Sequence, residues 1–374
     1  MSNHSDKILF TPGPLTTSET VKTAMLHDLG SLDFEFIEKV RFIRRKLLDI
    51  GNVSQEQRYE SILMQGSGTF GIESLISSAI PQNGHLLIII NVVYGERISS
   101  IASVHHIRQT RLVFDENQVP DLEVVESLLK ENRDITHLAV IHYETTTGVI
   151  NPIHEIGMLC KAYGITYMVD AMSSFGAVPI DILESHIDFL VSSSNKCIEG
   201  VPGFSFIISR KEHLLACEGN ARSLTLDLFA QWKGLEKDGQ FRFTPPTHSL
   251  LAFAQALVEL DEEGGVPGRA KRYKNNYQAL ASGMEQMGFR KYIATEYRGY
   301  IITCFHYPEQ EGFDFNQFYL SLNEKGFVIY PGKLSKVSCF RIGNIGRIGT
   351  AEIEHLLEAI RVTLKEMHID VPVI

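Results

Sequence analysis

The sequence has no apolar run long enough to cross a membrane. Its longest apolar stretch, His85–Ile90, is far shorter than the ~20 residues that a membrane span requires. Residues 1–7 do not have the form of a signal peptide. We therefore expect a cytoplasmic protein without a membrane partner.

Cysteine is scarce, which disfavours two kinds of structural cross-link. The chain has five cysteines, an odd number without a Cys-x-x-Cys pair, so neither a disulfide framework nor a zinc site is indicated. The adjacent His105 and His106 lack the i, i+4 spacing of a helical metal site and are expected on a helix face. No bound metal is expected, and the thiols should be reduced. The cysteines are Cys160, Cys197, Cys217, Cys304 and Cys339.

Basic residues are too few for a nucleic-acid partner. The chain has 35 Lys and Arg against 45 Asp and Glu, a net charge of −10, whereas nucleic-acid-binding surfaces are basic. An anionic ligand must therefore be held by local groups. With 374 residues, of which 44% are hydrophobic, the chain can bury a large core and is expected to form two domains.

Short apolar runs alternate with helical patterns from about residue 60 to about residue 210. This alternation is typical of an α/β fold with a mostly parallel sheet that is covered by helices on both faces. Ligands bind at the carboxyl ends of the strands in such sheets. We therefore expect the functional residues just after strands.

The rest of the chain predicts a second, smaller domain. Helical signals run from residue 249 to 287, with a break at 263–268. A further strand–helix set, with one strand predicted at 328–330, is typical of an α+β domain. We predict a large domain over residues 15–285 and a small domain made of residues 1–14 and 286–374.

Asp170 and Lys196 follow apolar runs that predict two strands. Lys196 lies after uncharged residues, a setting in which the pKa of an amine is lowered so that it is neutral and can form an imine with an aldehyde. An anion such as Asp170 can hold a pyridine nitrogen protonated, so the pair favours pyridoxal phosphate as the cofactor. Each residue alone has an ordinary interpretation, because Asp often caps a turn and most lysines are solvated.

A glycine-rich turn at residues 65–71 joins another predicted strand to a helix. The amides of this turn and the helix dipole could bind phosphate. The turn also matches Gly-x-Gly-x-x-Gly, so a nicotinamide-dependent dehydrogenase is an alternative. A dinucleotide fold places an acidic residue near the end of the next strand, which here ends in Asn91. A tight turn without a ligand is a further interpretation.

Three further residues are candidates because of their positions. Tyr94 follows a strand and could stack on an aromatic ring, or pack in the first turn of a helix. Thr145 begins a run of three threonines that could contact the hydroxyl of a pyridine ring, or form a turn. Arg341 lies in an apolar run, where its planar fork suits a carboxylate or a phosphonate, whereas most arginines form surface salt bridges.

Seven short motifs are spread over nearly the whole chain. They are Thr-Pro-Gly-Pro at 11–14, Gly-Ser-Gly at 66–68, Tyr-Gly at 94–95, Glu-Thr-Thr-Thr-Gly at 144–148, Val-Asp-Ala-Met-Ser-Ser at 169–174, Ser-Asn-Lys-Cys at 194–197 and Arg-Ile-Gly-Asn-Ile-Gly at 341–346. In this order they resemble the class V aminotransferases of fold type I. The resemblance implies a seven-stranded, mostly parallel sheet between helices, a pyridoxal 5′-phosphate cofactor and a homodimer with shared active sites.

The resemblance also implies roles for individual residues. Lys196 and Asp170 are the expected catalytic residues. Thr244 is expected to reach the cofactor phosphate of the neighbouring subunit, while Gly13 and Arg341 are expected to bind the substrate. The expected cofactor-binding residues are Ser67, Gly68, Thr69, Tyr94, Thr145, Asp170, Met172, Asn195, Lys196 and Thr244.

Longer blocks at residues 9–17, 170–176, 195–203 and 326–333 resemble one branch of this family. In that branch the amino group of 2-aminoethylphosphonate moves to pyruvate, giving phosphonoacetaldehyde and L-alanine. Alanine–glyoxylate and serine–pyruvate transaminases are the alternatives within the family. A catalytically inactive binding protein is disfavoured, because Asp170 and Lys196 are both present.

The sequence departs from the family pattern at two positions. Tyr143 stands where a small residue is expected, and Val92 stands where glycine is common. Both residues are expected near the pocket, so they bear on the choice of substrate more than on the choice of cofactor.

Overall fold

The computed structural model describes residues 6–332 and 337–373. Lys333, the last residue of the block at 326–333, lies outside these ranges. Within them, no helix is both long and apolar enough to span a bilayer.

The strands and helices of the described residues are as follows. The strands are β1 (Ile8–Leu9), β2 (Tyr59–Gln65), β3 (His85–Ile90), β4 (Arg108–Val113), β5 (His137–Ile141), β6 (Tyr143–Glu144), β7 (Val149–Ile150), β8 (Thr166–Asp170), β9 (Phe189–Ser193), β10 (Phe204–Arg210), β11 (Ile302–His306), β12 (Phe327–Val328), β13 (Tyr330–Pro331) and β14 (Cys339–Gly343). The helices are α1 (Glu19–Ala24), α2 (Phe34–Ile50), α3 (Gly68–Ala79), α4 (Val93–Val104), α5 (Leu122–Glu131), α6 (Ile153–Tyr163), α7 (Lys211–Leu215), α8 (Leu228–Asp238), α9 (Thr247–Glu262), α10 (Gly265–Gln286), α11 (Phe315–Glu324) and α12 (Thr350–Glu366).

A seven-stranded sheet forms the centre of the larger part of the molecule, in the order β2-β10-β9-β8-β5-β3-β4. Only β10 runs antiparallel to its neighbours, β2 and β9. The inner strands β3, β5 and β9 are buried at every residue, which explains why their sequences are continuous apolar runs rather than alternating ones. Helices α2, α3, α4, α6, α7 and α8 contact this sheet. The predicted seven-stranded, mostly parallel α/β fold is confirmed.

A second hydrophobic core is formed mainly by residues from the C-terminal end of helix α10 onward. Phenylalanines from several elements, among them Phe289, Phe305, Phe318 and Phe340, pack together in it. Its three-stranded sheet has the order β11-β14-β13. Strand β1 of the N-terminal segment pairs with β12, and Phe10 enters this core. The early segment of the chain therefore packs with its C-terminal part.

A third, smaller cluster connects the two cores. It joins residues that are far apart in the chain, including Tyr143, Cys197, Tyr273, Ile301 and Ile345. Helix α10 contributes Tyr273 to this cluster and, closer to its C-terminal end, Leu280 and Met284 to the second core. Buried side chains of helix α10 thus contribute to both of these clusters.

Candidate functional site

The candidate site lies at the carboxyl ends of β8 and β9. Asp170 is the last residue of β8 and is paired in register with Val191 of β9. Lys196 lies in the turn that follows β9. Because parallel strands present their carboxyl ends at one edge of the sheet, this register brings the carboxylate and the amine to the same side.

Lys196 points into the protein rather than into solvent. Its Nζ donates a hydrogen bond to the carbonyl oxygen of Pro12, at 2.8 Å. Burial, which penalises the ammonium form, lowers the pKa of Lys196 to about 8, although the nearby Asp170 carboxylate opposes this shift. About one tenth of this amine is therefore neutral at pH 7, far more than for a lysine with its ordinary pKa.

The turn that carries Lys196 is fixed by buried charges. Arg269 is fully buried, and its Nη1 donates to the carbonyl oxygen of Cys197 at 2.6 Å. The same guanidinium forms an ion pair with Glu263, at 2.6 Å. The amide of Glu199 donates to the carbonyl oxygen of Lys196 at 2.8 Å. These contacts hold the backbone at Lys196 and Cys197.

Asp170 is 8% exposed, and its Oδ1 accepts a hydrogen bond from the amide of Met172 at 2.9 Å. Burial raises the pKa of Asp170 to about 6, while the Met172 amide and the positive charge of Arg97 act in the opposite direction. A cation placed against this carboxylate would stabilise its ionised form.

Glu144 is a second buried carboxyl group near Asp170, and the sequence analysis gave it no role. Its side chain is fully buried, and among the described residues its carboxylate oxygens accept no hydrogen bond of normal geometry, although the Thr146 hydroxyl lies near enough to oppose the rise in pKa. Burial, together with the charge of Asp170, raises the pKa of Glu144 to about 8. The group is therefore mostly protonated at neutral pH. Its place at a strand end, before a run of threonines, was the available signal.

The glycine-rich turn presents the first turn of α3 to the same cavity. Ser67 is the residue that precedes α3, and its hydroxyl does not cap the helix. At Gly68 a Cβ atom would lie 2.3 Å from the sulfur of Met172, so a larger residue there would displace the Met172 side chain. The first amides of a helix lack intrahelical acceptors, which makes this turn a suitable site for a phosphate.

Arg97 is a second residue that the sequence analysis did not select. Its Nη1 donates to the Thr69 hydroxyl at 3.2 Å, and its guanidinium lies 5.1 Å from the centre of the Tyr94 ring. It follows Tyr94 by less than one helical turn, which was the signal that could have identified it. It places a positive charge beside the helix N-terminus.

These groups surround a cavity of about 180 Å³. Eight of the ten predicted cofactor-binding residues line it: Ser67, Gly68, Thr69, Tyr94, Asp170, Met172, Asn195 and Lys196. Thr145 is not a lining residue, but its hydroxyl donates to the Tyr94 hydroxyl at 3.3 Å. Thr244 does not line the cavity either; it lies on an exposed loop where its carbonyl oxygen accepts a hydrogen bond from Gln65.

The two predicted substrate-binding residues lie next to this set. Gly13 has a φ of +112°, and a Cβ atom at this position would be 2.8 Å from the Lys196 amine. Arg341 is buried, with its Nη1 donating to the carbonyl oxygen of Thr145 at 2.9 Å and its Nε to that of Pro331 at 3.1 Å. Burial lowers the pKa of Arg341. Arg341 does not line the cavity, and within the described residues it has no acidic partner.

The two departures from the family pattern differ in their surroundings. Val92 has a φ of −151°, an extended conformation that does not require glycine, and it is not a lining residue. Tyr143 lines the cavity and is itself buried, with its ring packed against Gly299.

The end of β3 does not have the features of a dinucleotide site. Asn91 is buried, and its Nδ2 donates to the side-chain oxygen of Asn151 at 2.8 Å and to the carbonyl oxygen of Gln118 at 3.2 Å. A polar side chain engaged in this way does not hold a ribose. The nicotinamide alternative therefore has no support beyond the glycine spacing.

Comparison with known proteins places the chain in a family. The Aminotransferase class-V model matches residues 17–348. A 2-aminoethylphosphonate–pyruvate transaminase of Bacillus cereus (strain Q1) is 50% identical over 354 residues, which are 94% of this chain and 96% of the relative. A bifunctional phosphonoacetaldehyde hydrolase/aminoethylphosphonate transaminase of Clostridioides difficile (strain 630) is 48% identical over 357 residues, which are 95% of this chain and 56% of that longer protein.

Solved structures agree on the fold. The pyridoxamine-pyruvate aminotransferase of Mesorhizobium loti matches with a TM-score of 0.89 at 22% identity, over 99% of this chain and 95% of the other. The alanine–glyoxylate aminotransferase of Nostoc sp. matches with a TM-score of 0.88 at 24% identity, over 96% of each chain. The chain belongs to the class V aminotransferase family, as its motifs predicted.

Proposed function

We propose that this protein transfers the amino group of 2-aminoethylphosphonate to pyruvate, giving phosphonoacetaldehyde and L-alanine. The observation that carries the proposal is the proximity of two groups: Lys196, a partly exposed amine of lowered pKa, and Arg341, a buried arginine whose charge acts on that amine and which has no acidic partner among the described residues. Relatives about half identical over nearly the whole chain, with the same activity in their names, support it.

Pyridoxal 5′-phosphate, the cofactor of the family, fits the residues present. The first turn of α3, with Ser67, Gly68 and Thr69, offers amides and hydroxyls to a phosphate, and Arg97 adds a positive charge. Asp170 offers an anion to a ring nitrogen. When bound, the cofactor supplies an aldehyde that takes up the amino group and a ring that accepts electrons from the substrate carbon.

We assign the remaining cofactor contacts to residues around the ring. Tyr94 would stack on the ring, and Thr145, whose hydroxyl bonds that of Tyr94, would lie beside it. Met172 and Asn195 line the cavity and would restrict the position of the ring. Thr244 would bind the phosphate in a neighbouring copy of the chain.

Lys196 would hold the cofactor and then move a proton between substrate and cofactor. Both tasks need a neutral amine, and burial supplies one by lowering the pKa of Lys196 to about 8. The Pro12 carbonyl at 2.8 Å and the close approach of Gly13 fix where this amine lies. The ion pair between Arg269 and Glu263 immobilises the turn behind it.

Asp170 would keep the ring nitrogen of the cofactor protonated. Two buried carboxylates so close together are costly to ionise at once, and the pKa of Glu144, at about 8, lies above that of Asp170, at about 6. The proton would therefore reside on Glu144. This leaves the negative charge on Asp170, where the cofactor needs it.

Arg341 would bind the acid group of both substrates in turn. Its fork of donors matches a carboxylate or a phosphonate. A bound anion stabilises a buried guanidinium more than an exposed one, because water does not solvate the buried charge. One anion-binding residue is sufficient, because the donor leaves as an aldehyde before pyruvate enters.

We also propose a homodimer with shared active sites. Large apolar side chains are exposed in this single chain, among them Leu26, Leu32, Phe34 and Phe243, and contiguous apolar surface is typical of interfaces. Thr244 follows Phe243 on the same exposed loop. Mixing Lys196→Ala and Thr244→Asp subunits should restore about a quarter of the wild-type activity, since half of the dimers regain one complete site. No gain on mixing would contradict a shared site.

A cytoplasmic location is part of the same proposal. All five cysteines are free and buried, which suits a reducing compartment.

A panel of amino donors with pyruvate tests the proposed reaction. The panel should contain 2-aminoethylphosphonate, serine, alanine (with glyoxylate as acceptor) and 3-aminopropylphosphonate, with the Lys196→Ala variant as the blank. We expect 2-aminoethylphosphonate to have the highest kcat/KM. If alanine or serine were the best donor, the family would stand and the named substrate would not.

A further inference from the structure

Tyr143, the residue that departs from the family pattern, is packed against a glycine from the other part of the molecule. A Cβ atom built on Gly299 would lie 2.1 Å from Cε2 of the Tyr143 ring, and the three atoms nearest to it all belong to that ring. The φ of Gly299 is not in the left-handed region. The position therefore excludes a larger residue because of the tyrosine, and not because of its backbone.

The hydroxyl of Tyr143 adds a polar contact to this packing. It accepts a hydrogen bond from the amide of Ile301, at 3.0 Å, and both residues are buried. Burial raises the pKa of this phenol well above its ordinary value, so it stays neutral. A neutral hydroxyl and a packed ring together define one position for Tyr143 relative to Ile301.

The same short segment is connected to Arg341. Two residues after Tyr143, the carbonyl oxygen of Thr145 accepts a hydrogen bond from Nη1 of Arg341, at 2.9 Å. Residues 143–145 therefore contact the other part of the molecule at both ends, through the tyrosine side chain and through a backbone carbonyl.

Strands β11 and β14 complete the connection between Tyr143 and Arg341. In the pairing of β11 with β14, Ile302 lies opposite Gly343 and Cys304 lies opposite Arg341. Next to this pairing, the amide of Asn344 donates to the carbonyl oxygen of Ile301 at 3.0 Å. The path runs from Tyr143 through Ile301 and β14 to Arg341, and returns through Thr145. We therefore expect that a displacement of Tyr143 also displaces Arg341.

We propose that Tyr143 is a positioning residue for Arg341, and that its contact with Gly299 and Ile301 sets where the guanidinium lies relative to the Lys196 amine. The role that this gives Arg341 rests on the proposed function. Because displacements of about 1 Å in a positioning group can change rates by large factors, this contact would set the affinity for substrates that carry an acid group.

Three variants test the contact. Tyr143→Phe removes the hydroxyl and keeps the ring; we expect KM for 2-aminoethylphosphonate and for pyruvate to rise about 5- to 20-fold, with kcat changed less than 3-fold. Gly299→Ala forces the ring away and should cause a larger loss. Gly299→Ala should lower the melting temperature much less in the Tyr143→Ala background than in the wild type, because the ring that meets the added Cβ atom is then absent.

Tyr167→Phe is the matched control. Tyr167 is also fully buried, and its hydroxyl donates to the carbonyl oxygen of Ile153 at 2.9 Å, within the large sheet region. We expect this control to lower the melting temperature and leave both KM values unchanged. A second control is the rate at which methoxyamine, an uncharged amine without an acid group, reacts with the bound cofactor. This rate should be the same in Tyr143→Phe and in the wild type.

Each outcome decides the proposal. Unchanged KM values in Tyr143→Phe, or an equal loss of the methoxyamine rate, would show that Tyr143 only fills space. An equal loss of thermal stability on Gly299→Ala in the wild type and in Tyr143→Ala would show that the ring does not exclude the alanine. The thermal comparison needs no substrate, so it still tests the contact if 2-aminoethylphosphonate is not a donor.

Discussion

The two halves of the site are held in different ways. The half with Lys196 and Asp170 lies at strand ends of the central sheet, where the ion pair between Arg269 and Glu263 and the Pro12 carbonyl of the N-terminal segment also hold the turn and the amine. The half with Arg341 belongs to the small antiparallel sheet and reaches the cavity region through a contact with Thr145. In the proposed function, the groups assigned to the chemistry lie at the ends of strands in the central sheet, while the arginine assigned to the acid group comes from the second sheet.

The Lys196→Ala variant should produce the largest effect, because it removes the only group assigned to proton transfer. We expect kcat to fall by at least about 1,000-fold while the protein remains folded. Borohydride reduction followed by peptide mapping should find the pyridoxyl group on Lys196 in the wild type and on no residue in the variant. Attachment to another lysine in the wild type would remove Lys196 from its role.

The Asp170→Asn variant should leave the shape of the site intact and remove the charge opposite the ring nitrogen. Since this charge acts mainly in the transition state, we expect kcat to fall by roughly 100- to 10,000-fold, with KM for both substrates changed only slightly. The matched variant Glu144→Gln imitates the protonated acid and should keep most of the activity. Steady-state kinetics of both variants would reverse the assignment if Glu144→Gln were the more damaged.

The Arg341→Ala variant changes the half of the site that belongs to the small antiparallel sheet. The loss of one charge-assisted, bidentate contact costs ~2–4 kcal/mol, so kcat/KM should fall roughly 30- to 1,000-fold for 2-aminoethylphosphonate and for pyruvate alike. Arg341→Lys should recover only part of this loss, because a point charge does not reproduce the fork. A loss confined to pyruvate would require a separate phosphonate site.

The smallest effect should be the pH dependence of cofactor attachment to the apoprotein. Burial lowers the pKa of Lys196 to about 8, so the neutral, reactive amine increases as the pH rises through 8 and is nearly complete above 9. We expect the rate of attachment to increase roughly ten-fold between pH 7 and pH 9 and then to level off. Stopped-flow absorbance measures this rate. A rate that still rises steeply at pH 10 would mean that the amine has the pKa of an exposed lysine.

The half of the site with Lys196 and Asp170 was predictable from the sequence, because neighbouring residues in the chain identify each of its groups. Asp170, Lys196 and the turn around Gly68 each follow a strand that its own apolar run identifies, and the sheet topology brings such ends together. The packing of Tyr143 on Gly299 was not predictable, because it joins residues that are far apart in the chain and belong to no shared pattern. The raised pKa of Glu144 was not predictable either, because it results from burial and from the nearby Asp170 rather than from the residues of its motif.

Some elements also differ from the pattern that predicted them. The predicted strand at residues 328–330 is divided into β12 and β13, because the chain changes partner there, from β1 to β14. Strand β4 begins with the polar residues Arg108, Gln109 and Thr110, which belong to no apolar run, because these residues also pair with β3. The pattern gave no prediction for α2, which lies before the strand–helix alternation begins.

A single-turnover experiment with Arg341→Ala tests most directly whether Arg341 binds the substrate while Lys196 and Asp170 carry out the chemistry. The cofactor-loaded variant is mixed with increasing concentrations of 2-aminoethylphosphonate, and the change in cofactor absorbance gives both the limiting rate and the concentration for half of that rate. The account predicts that the half-saturating concentration rises at least about 30-fold, while the limiting rate stays within about 3-fold of the wild type. A limiting rate that collapses at an unchanged half-saturating concentration would contradict it.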